Sequence, residues 1–280
     1  MTTFCAAYDT ESVACLEAVR RIVDVHERFR MPATFFIVAE LLDTPQGAEY
    51  RRLIGGNPLF EIASHSYTHM LLREHRVCGK PGPSDLHAHE IIDSKKRIED
   101  CFGRVVAGFR SPVGFSDGLQ GAPHLLALCQ QAGYRYSSSL LWGPQESLPA
   151  LVREPFAYAK EGHPGLWEVP AFGWHENVLK GFSGSSLLVQ LYPAPIPEAA
   201  AIRFITTPAE EIAVHRAIID HARAAGCGHA SLIWHPWSLH RFDPEMTMLQ
   251  GVFQYVRDCQ MPVGTFADYT KGLSQWQQST

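Results

Sequence analysis

The 280-residue chain lacks several features that mark particular classes of protein. It has no run of five or more basic residues, and its formal net charge is -5, so a nucleic-acid partner is not expected. No apolar run approaches the length needed to cross a bilayer, so a membrane partner is not expected either. Internal repeats and low-complexity linkers are absent as well. Because 46% of the residues are hydrophobic, we expect one large catalytic domain over residues 1–280.

The cysteine pattern gives no sign of a disulfide framework. The chain has seven cysteines, an odd number, and no CxxC pair. Free thiols, mostly buried, in a reducing compartment account for this pattern best. The first residues, Met1–Cys5, enter a predicted strand without the basic and apolar regions of a signal peptide. We therefore expect a cytoplasmic protein.

Short apolar segments alternate with segments of helical periodicity along most of the chain. The strands are predicted at residues 4–8, 31–38, 60–64, 105–109, 134–138, 167–172 and 230–234. This alternation predicts an α/β fold of parallel strands joined by right-handed crossovers. Buried parallel strands are apolar throughout, as these are. Either a barrel or an open sheet satisfies the pattern.

One segment, residues 177–206, interrupts the alternation. It contains three prolines, Pro193, Pro195 and Pro197, and shows no clear periodicity. Its length is typical of a functional insertion rather than of framework. We expect either a flap over the active site or a contact between copies of the chain in a homo-oligomer.

Chemically capable side chains follow the carboxyl ends of four predicted strands. They are Asp9 and Glu11 after the first strand, His65 and His69 after the third, Arg110 after the fourth, and His235 after the last. In a barrel of parallel strands these ends share one rim, which carries the active site. The sequence therefore predicts that these side chains meet.

The combination forms a consistent set of chemical roles. Two imidazoles and one carboxylate can hold a divalent metal ion, such as zinc, and leave room for a water molecule. A second carboxylate can take a proton from that water, and a histidine on the other side can protonate a departing amine. An arginine can keep the basic carboxylate ionised. These are the parts of a metal-assisted amide or ester hydrolase.

The sequence resembles the polysaccharide deacetylases of carbohydrate esterase family four, also called the NodB homology domain. The resemblance extends from about Phe4 to Pro236. Four stretches carry it: residues 65–69 (H-S-Y-T-H) as the metal motif, 33–36 (A-T-F-F) as the second strand, 110–114 (R-S-P-V-G) as the R-x-P-x-G motif, and 232–236 (L-I-W-H-P) as the general-acid motif.

The resemblance implies a distorted (β/α) barrel of about seven parallel strands and a bound zinc or similar ion. It implies that Arg110 supports the base and that the backbone N–H of Val113 helps to form an oxyanion hole. It also implies that His235 is the general acid and that His65 and His69 are metal ligands.

The first family motif departs from the usual T-F-D-D-G. Residues 8–12 read Y-D-T-E-S here. By resemblance to relatives with a D-x-D or D-x-E form, Asp9 is the expected base and Glu11 the expected third metal ligand. Glutamate has one more methylene than aspartate, so its carboxylate could reach the metal from further along the loop. The reversed assignment stays open.

A second departure concerns the partner of His235 and the aromatic wall of the pocket. The family often places an aspartate near residues 167–170, and Glu168 could replace it as the group that orients the acid. Trp167 or Trp174 could form the wall.

Other residues near these strand ends could either contact substrate or have a purely structural role. Trp234 and Trp237 beside the general-acid motif could line a sugar pocket or belong to the core. His175 and Glu176 also follow a predicted strand, with either a structural role or a contact to substrate. The expected substrate contacts are two of these aromatic residues, Trp174 and Trp234, and the backbone of Val113.

The expected function is removal of an acyl group from an amide nitrogen, with the N-acetyl group of a sugar or small carbohydrate as the first choice. A cytoplasmic enzyme does not meet mature cell-wall polymer, which favours small substrates. Two alternatives stay open. One is a metal-free hydrolase of cyclic amides or ureides, similar to allantoinase-like relatives. The other is a barrel that only binds a ligand.

Overall fold

Eight strands form one sheet in the computed structural model, which describes residues 1–278. The strands are β1 (Thr3–Thr10), β2 (Ala33–Ile37), β3 (Phe60–Ser64), β4 (Gly108–Phe109), β5 (Tyr136–Ser137), β6 (Phe156–Tyr158), β7 (His163–Glu168) and β8 (His229–Trp234). Their order across the sheet is β6-β7-β5-β4-β3-β2-β1-β8. The β6–β7 pair is antiparallel, and the other pairs are parallel.

Helices connect the strands and cover the sheet. They are α1 (Cys15–Phe29), α2 (Gly47–Tyr50), α3 (Ser94–Phe102), α4 (Pro123–Ala132), α5 (Glu176–Leu179), α6 (Pro208–Ala224), α7 (Pro236–Phe242), α8 (Thr247–Asp258) and α9 (Phe266–Gln278). Shorter 3₁₀ turns lie at Ala39–Asp43, Ser84–Leu86, Leu187–Val189 and Pro197–Ala199, and π-helical turns at Arg51–Gly55 and His89–Asp93. Among the described residues, no helix is both long and apolar enough to cross a membrane.

The two faces of β1 show why this strand can carry a polar end. Phe4, Ala6 and Tyr8 face the main core under the helices, while Cys5 and Ala7 face a second cluster on the opposite side of the sheet. Successive side chains on a strand alternate between faces, so Asp9 continues the second face at the end of the strand. The strand therefore delivers a carboxylate to the carboxyl-terminal rim of the sheet.

The sheet curves until its far edges approach each other. The chain that follows β7 contacts β8, where the Phe172 N–H donates to the Ser231 carbonyl over 2.9 Å and the Ser231 hydroxyl donates to the Pro170 carbonyl over 2.6 Å. Seven of the eight strands run parallel. The predicted α/β fold with about seven parallel strands is confirmed.

The strand predicted at residues 167–172 is wrong in its bounds. The strand β7 is His163–Glu168 and pairs with β6, which the sequence pattern did not predict. Pro170 has no N–H to donate to a ladder, so the chain leaves the sheet there. The first half of β7 is also largely exposed, which weakens the apolar signal used for prediction.

The insertion at residues 177–206 combines buried anchor residues with exposed apolar ones. Val178, Ile196 and Ile205 are buried, whereas Leu188, Tyr192 and Ile202 are more than nine-tenths exposed. Its role as a flap or an oligomer contact stays a prediction, as does the single-domain assignment. All seven cysteines are free, which agrees with the absence of a disulfide framework.

Candidate active site

Asp9 and Arg110 form a buried ion pair at the carboxyl-terminal rim. An Nη atom of Arg110 donates to Asp9 Oδ1 over 2.6 Å. Two further guanidinium N–H groups donate to Ser138, one to its carbonyl over 3.1 Å and one to its hydroxyl over 2.9 Å. The guanidinium carbon lies 3.8 Å from the ring centroid of Phe36. Burial alone would raise the pKa of Asp9, but the charge of Arg110, the neighbouring histidines and the hydrogen bond from Arg110 together outweigh it, and the net shift is downward.

Glu11, His65 and His69 gather their donor atoms at one point beside this pair. All three donors lie within 4.8 Å of one another, and Glu11 Oε2 is 3.1 Å from His69 Nε2. In a tetrahedral zinc site, an oxygen and a nitrogen ligand are separated by about 3.4 Å, given ordinary bond lengths. The set therefore fits a divalent metal in size and in chemistry.

The Glu11 carboxylate and the His65 imidazole are held in the protonation states that metal coordination needs. His65 Nδ1 donates to the Arg110 carbonyl over 3.0 Å, which leaves its Nε2 lone pair free. Burial lowers the pKa of His65 to about 4, so the ring is neutral. For Glu11, the positive field of His235 and the hydrogen bond from His69 outweigh burial and lower its pKa. The Trp237 indole N–H donates to Glu11 Oε1 over 2.9 Å.

The loop between the two histidines is a strained turn rather than a helix. Ser66 and His69 have positive φ angles of 68° and 65°, and the His69 N–H donates to the Ser66 hydroxyl. Glu90, which is buried, accepts bonds from the Tyr67 N–H and from the N–H and hydroxyl of Thr68. Sequence reasoning missed Glu90, because nothing in its local pattern indicates that it packs against a loop 22 residues away.

His235 faces the potential ligands Glu11, His65 and His69 from the side opposite Asp9. Its Nδ1 donates to Glu176 Oε2 over 2.9 Å, and its backbone N–H donates to Glu176 Oε1 over 3.2 Å. Its Nε2 points toward Glu11 Oε2, 3.9 Å away. Lys180 Nζ lies 3.9 Å from Glu176 Oε1 and forms a shorter ion pair with Glu211.

The electrostatics of this pair favour a protonated imidazole. Burial alone would lower the pKa of His235, but the carboxylates of Glu176 and then Glu11 raise it to about 10. Burial likewise opposes ionisation of Glu176, yet the charges of His235 and Lys180 lower its pKa to about 2. The structure therefore holds an imidazolium on one rim of the site.

Val113 lies in a conformation that β-branched residues rarely adopt. Its φ is 66°, and its carbonyl accepts a bond from the Trp142 indole over 2.8 Å. The next residue, Gly114, also has a positive φ, and a Cβ there would lie 2.5 Å from Leu141. Strain of this kind at a strand end is common where a backbone N–H must point at a ligand.

Glu168 does not orient His235, which corrects the expectation from sequence. It ends β7 and accepts bonds from the N–H groups of Ser139 and Leu140 and from the Tyr158 hydroxyl. It therefore supports the loop after β5. Glu176 binds His235 instead, although the sequence analysis gave it only a structural role or a substrate contact.

Trp174 and Trp234 are core residues, which corrects their prediction as substrate contacts. Trp174 is 1% exposed and its indole donates to the Ala199 carbonyl; Trp234 is fully buried and its indole donates to His215. Trp167 packs in the interior cluster on the other face of the sheet. Trp237 is the tryptophan that reaches Glu11.

His175 and Trp142, both buried, pack together beside His235. Their ring centroids are 4.9 Å apart, and the His175 ring lies 6.3 Å from the ring of His235. His175 Nε2 donates to the Leu141 carbonyl. Sequence reasoning singled out His175 without a firm role and missed Trp142, which lies on a loop with no recognisable pattern.

The rim therefore carries a paired base-like carboxylate, a metal-type ligand set and a paired imidazolium, which together define the site of a hydrolase. The family model of polysaccharide deacetylases matches residues 6–137. This match confirms the resemblance to the polysaccharide deacetylases that the sequence showed. It assigns the chain to the hydrolases of carbon–nitrogen bonds, in the deacetylase class. No curated protein matches the chain significantly.

Solved structures share the fold at low sequence identity. A Mycobacterium smegmatis protein assigned to the polysaccharide deacetylases is 18% identical, with a TM-score of 0.65 over 99% of this chain and 92% of its own. A Pseudomonas aeruginosa protein with the same assignment is 12% identical, with a TM-score of 0.61 over 96% and 89%. A CE4 family pseudoenzyme from Bacillus anthracis is 12% identical, with a TM-score of 0.55 over 96% and 66%.

Proposed function

We propose that this chain is a metal-dependent deacetylase that removes the N-acetyl group of a sugar or small carbohydrate. The observation that carries the proposal is the convergence of three potential ligands, Glu11, His65 and His69, between Asp9 on one side and His235 on the other. Each acid or base has its own buried partner, as the two halves of an acid–base mechanism require.

Glu11, His65 and His69 would hold the metal, with zinc the first choice. Such an ion supplies a lowered water pKa and polarises the substrate carbonyl. The ligand set contains oxygen and nitrogen donors but no thiolate, so other divalent ions such as cobalt also suit it. Trp237 fixes the Glu11 carboxylate through Oε1 and leaves Oε2 directed at the histidines.

Asp9 is placed to act as the general base. Arg110 occupies its Oδ1, while Oδ2 lies 3.8 Å from His65 Nε2, next to the ligand set. A carboxylate with a lowered pKa is ionised at neutral pH and can accept a proton from a water molecule that attacks the amide carbon. The contact with Arg110 supports the assignment of Asp9 as base and Glu11 as ligand.

The Val113 backbone is proposed as the oxyanion donor. A backbone N–H held by a strained turn needs little reorganisation when negative charge develops on the carbonyl oxygen. The Trp142 indole fixes the next peptide, Val113–Gly114, through the Val113 carbonyl, and so holds the backbone directly beside this N–H. This arrangement supports the role that the R-x-P-x-G motif implied.

His235 is proposed as the acid that protonates the departing amine. Because Glu176 binds Nδ1, the remaining N–H of the imidazolium is Nε2, which faces the ligand set. An amine leaves readily only after protonation, so an acid on this side completes amide hydrolysis. The buried rings of Trp142 and His175 pack beside it and keep solvent from that side of the imidazolium.

Two other functions were open from sequence. A metal-free hydrolase of cyclic amides would leave the convergence of Glu11, His65 and His69 without a purpose. The fold also occurs in a pseudoenzyme, so fold alone does not establish turnover. The retained acid and base, each with an ionised partner, favour catalysis over ligand binding.

Acetate release from N-acetylated mono- and oligosaccharides tests the proposal. The enzyme is assayed as purified, after removal of metal with a chelator, and after addition of Zn²⁺ or Co²⁺. We expect activity that disappears with the metal and returns on addition. Full turnover of a cyclic ureide such as allantoin by the chelated enzyme would overturn the proposal in favour of the metal-free hydrolase.

A further inference from the structure

A second cluster of potential metal ligands lies at the opposite end of the sheet. Cys227 and His229 flank the start of β8, and Glu154 approaches them from the segment before β6. Six strand residues separate this point from His235, which corresponds to about 20 Å at the usual rise per residue. The cluster is therefore separate from the proposed active site.

The three donor atoms have the spacing of a metal site. They lie within 4.8 Å of one another, and Cys227 Sγ is 3.7 Å from His229 Nδ1. With ordinary zinc–sulfur and zinc–nitrogen bonds at a tetrahedral angle, this separation would be about 3.6 Å. Cys227 and His229 already have that distance without any rearrangement.

The hydrogen bonds fix His229 in the tautomer that a metal needs. Its Nε2 is 2.8 Å from the Pro170 carbonyl, which can only accept, so Nε2 carries the proton. The Nδ1 lone pair is then directed at Cys227. A bond from the far ring nitrogen to a backbone carbonyl is the usual support of a histidine that ligates a metal.

The cluster has more acceptors than protons. The His229 Nδ1 lone pair and the Arg153 carbonyl, 3.7 Å from Cys227 Sγ, both face a single thiol hydrogen, and the Glu154 carboxylate lies beside it. The Gly228 N–H satisfies only Oε1 of Glu154. A cation that displaces the thiol proton would satisfy the thiolate, the imidazole and the second carboxylate oxygen together.

The backbone is shaped to allow this approach. A Cβ on Gly228 would lie 2.5 Å from the Tyr269 hydroxyl oxygen and 3.5 Å from Glu154 Oε2. A side chain at this position would therefore displace the Tyr269 hydroxyl, whereas the distance to Glu154 is an ordinary contact. Gly228 keeps Tyr269 packed beside the cluster while its N–H holds the Glu154 carboxylate next to Cys227 and His229.

We propose that Glu154, Cys227 and His229 form a second binding site for a borderline-soft divalent cation, Zn²⁺ above all. One thiolate, one imidazole and one carboxylate are ligands that zinc prefers, and three protein ligands leave one position for water. The ion would tie the segment before β6 to the start of β8. The site is independent of the proposed deacetylase site.

Cobalt absorption distinguishes the two sites, because a thiolate bound to Co²⁺ gives an intense near-ultraviolet charge-transfer band that imidazole and carboxylate ligands do not. The test uses the full chain with His65→Ala and His69→Ala, which removes the first site, under reducing conditions. We expect one Co²⁺ per chain with the band, and displacement of that Co²⁺ by Zn²⁺. Absence of the band at stoichiometric Co²⁺ would overturn the proposal.

Variants then assign the ligands. Adding Cys227→Ser should abolish the band, whereas Cys78→Ser, at an exposed cysteine outside the cluster, should leave it intact. Glu154→Gln, at an exposed position, keeps the size of the side chain and should weaken Co²⁺ binding by roughly 10-fold or more. A band that survives Cys227→Ser, or unchanged affinity in Glu154→Gln, would contradict the proposal even if another variant folds poorly.

Discussion

Two histidines of the same site, His65 and His235, are buried to nearly the same degree. Their pKa values nevertheless shift in opposite directions from that of an ordinary imidazole. Burial lowers the pKa of His65 to about 4. At His235 burial acts in the same sense, yet Glu176 and Glu11 raise the pKa to about 10. The difference shows that the partner, not the burial, decides whether a buried imidazole is a ligand or an acid.

The partners come from different parts of the chain. His65 donates to a backbone carbonyl, that of Arg110, which carries no net charge. His235 donates to the carboxylate of Glu176, which Lys180 also approaches. The ligand side lies within residues 6–137, the part that matches the family model, and the acid side lies outside it. The predictions below test whether the two sides have separate roles.

The largest expected effect is on the ligand side. His65→Ala or His69→Ala should abolish hydrolysis and remove the bound divalent ion, because two protein ligands hold a metal poorly. Metal content per chain and acetate release measure the two losses, and circular dichroism checks the fold. His221→Ala, at an exposed helix position, is the control and should change neither. Full activity of both ligand variants in the presence of chelator would exclude the metal mechanism.

The next effect separates the two acids of the first motif. Asp9→Asn should keep the metal and lower kcat by roughly 10²-fold or more, since it removes a general base. Glu11→Gln should instead weaken metal binding, because a neutral amide is a poorer ligand than a carboxylate. Metal titration and kcat for both variants measure this. The reverse pattern would mean that Glu11 is the base and Asp9 the ligand.

A smaller effect tests the partner of His235. Its raised pKa keeps His235 protonated at neutral pH, so loss of the His235 proton should lower amide hydrolysis at alkaline pH, while protonation of Asp9 gives the separate acid limb. A bound metal would offset the charge of Glu11 and place the alkaline decline below pH 10. Glu176→Gln should move the alkaline limb of kcat/KM to lower pH by about one unit or more, since it removes the largest stabilising charge.

Glu168→Gln is the matched control for that measurement. Glu168 was the partner suggested by the family pattern, but the structure places it on Ser139, Leu140 and Tyr158. Its substitution should leave the alkaline limb in place, even where stability falls. Equal movement of the limb in both variants would mean that the effect is general and that Glu176 has no special link to His235.

Local sequence patterns predicted the fold class and brought Asp9, Glu11, His65, His69, Arg110 and His235 to one rim. They succeeded because strand ends in a parallel sheet share an edge, whatever the details of the helices. They failed where the direction of a side chain depends on where a strand stops. The strand β7 ends at Glu168, and the chain then leaves the ladder at Pro170, so the carboxylate that reaches His235 is eight residues further on.

The prediction of Trp174 and Trp234 as substrate contacts failed for a related reason. An indole beside a catalytic motif has the same local pattern whether it lines a pocket or packs inward. Trp234 on β8 faces the helices and packs against Tyr8, while Trp237 lies about one helical turn beyond and reaches Glu11. Only the register of β8 and the start of α7 distinguish the two.

The most direct test of the two-sided account compares an amide with an aryl ester that has the same acyl group, using kcat/KM for wild type, Asp9→Asn and His235→Ala. Both substrates need the base, so Asp9→Asn should lower the two values by similar factors. An activated phenoxide leaves without a proton, so His235→Ala should lower kcat/KM heavily for the amide and much less for the ester. Equal losses in His235→Ala would contradict its role as the acid and leave the proton donor unassigned.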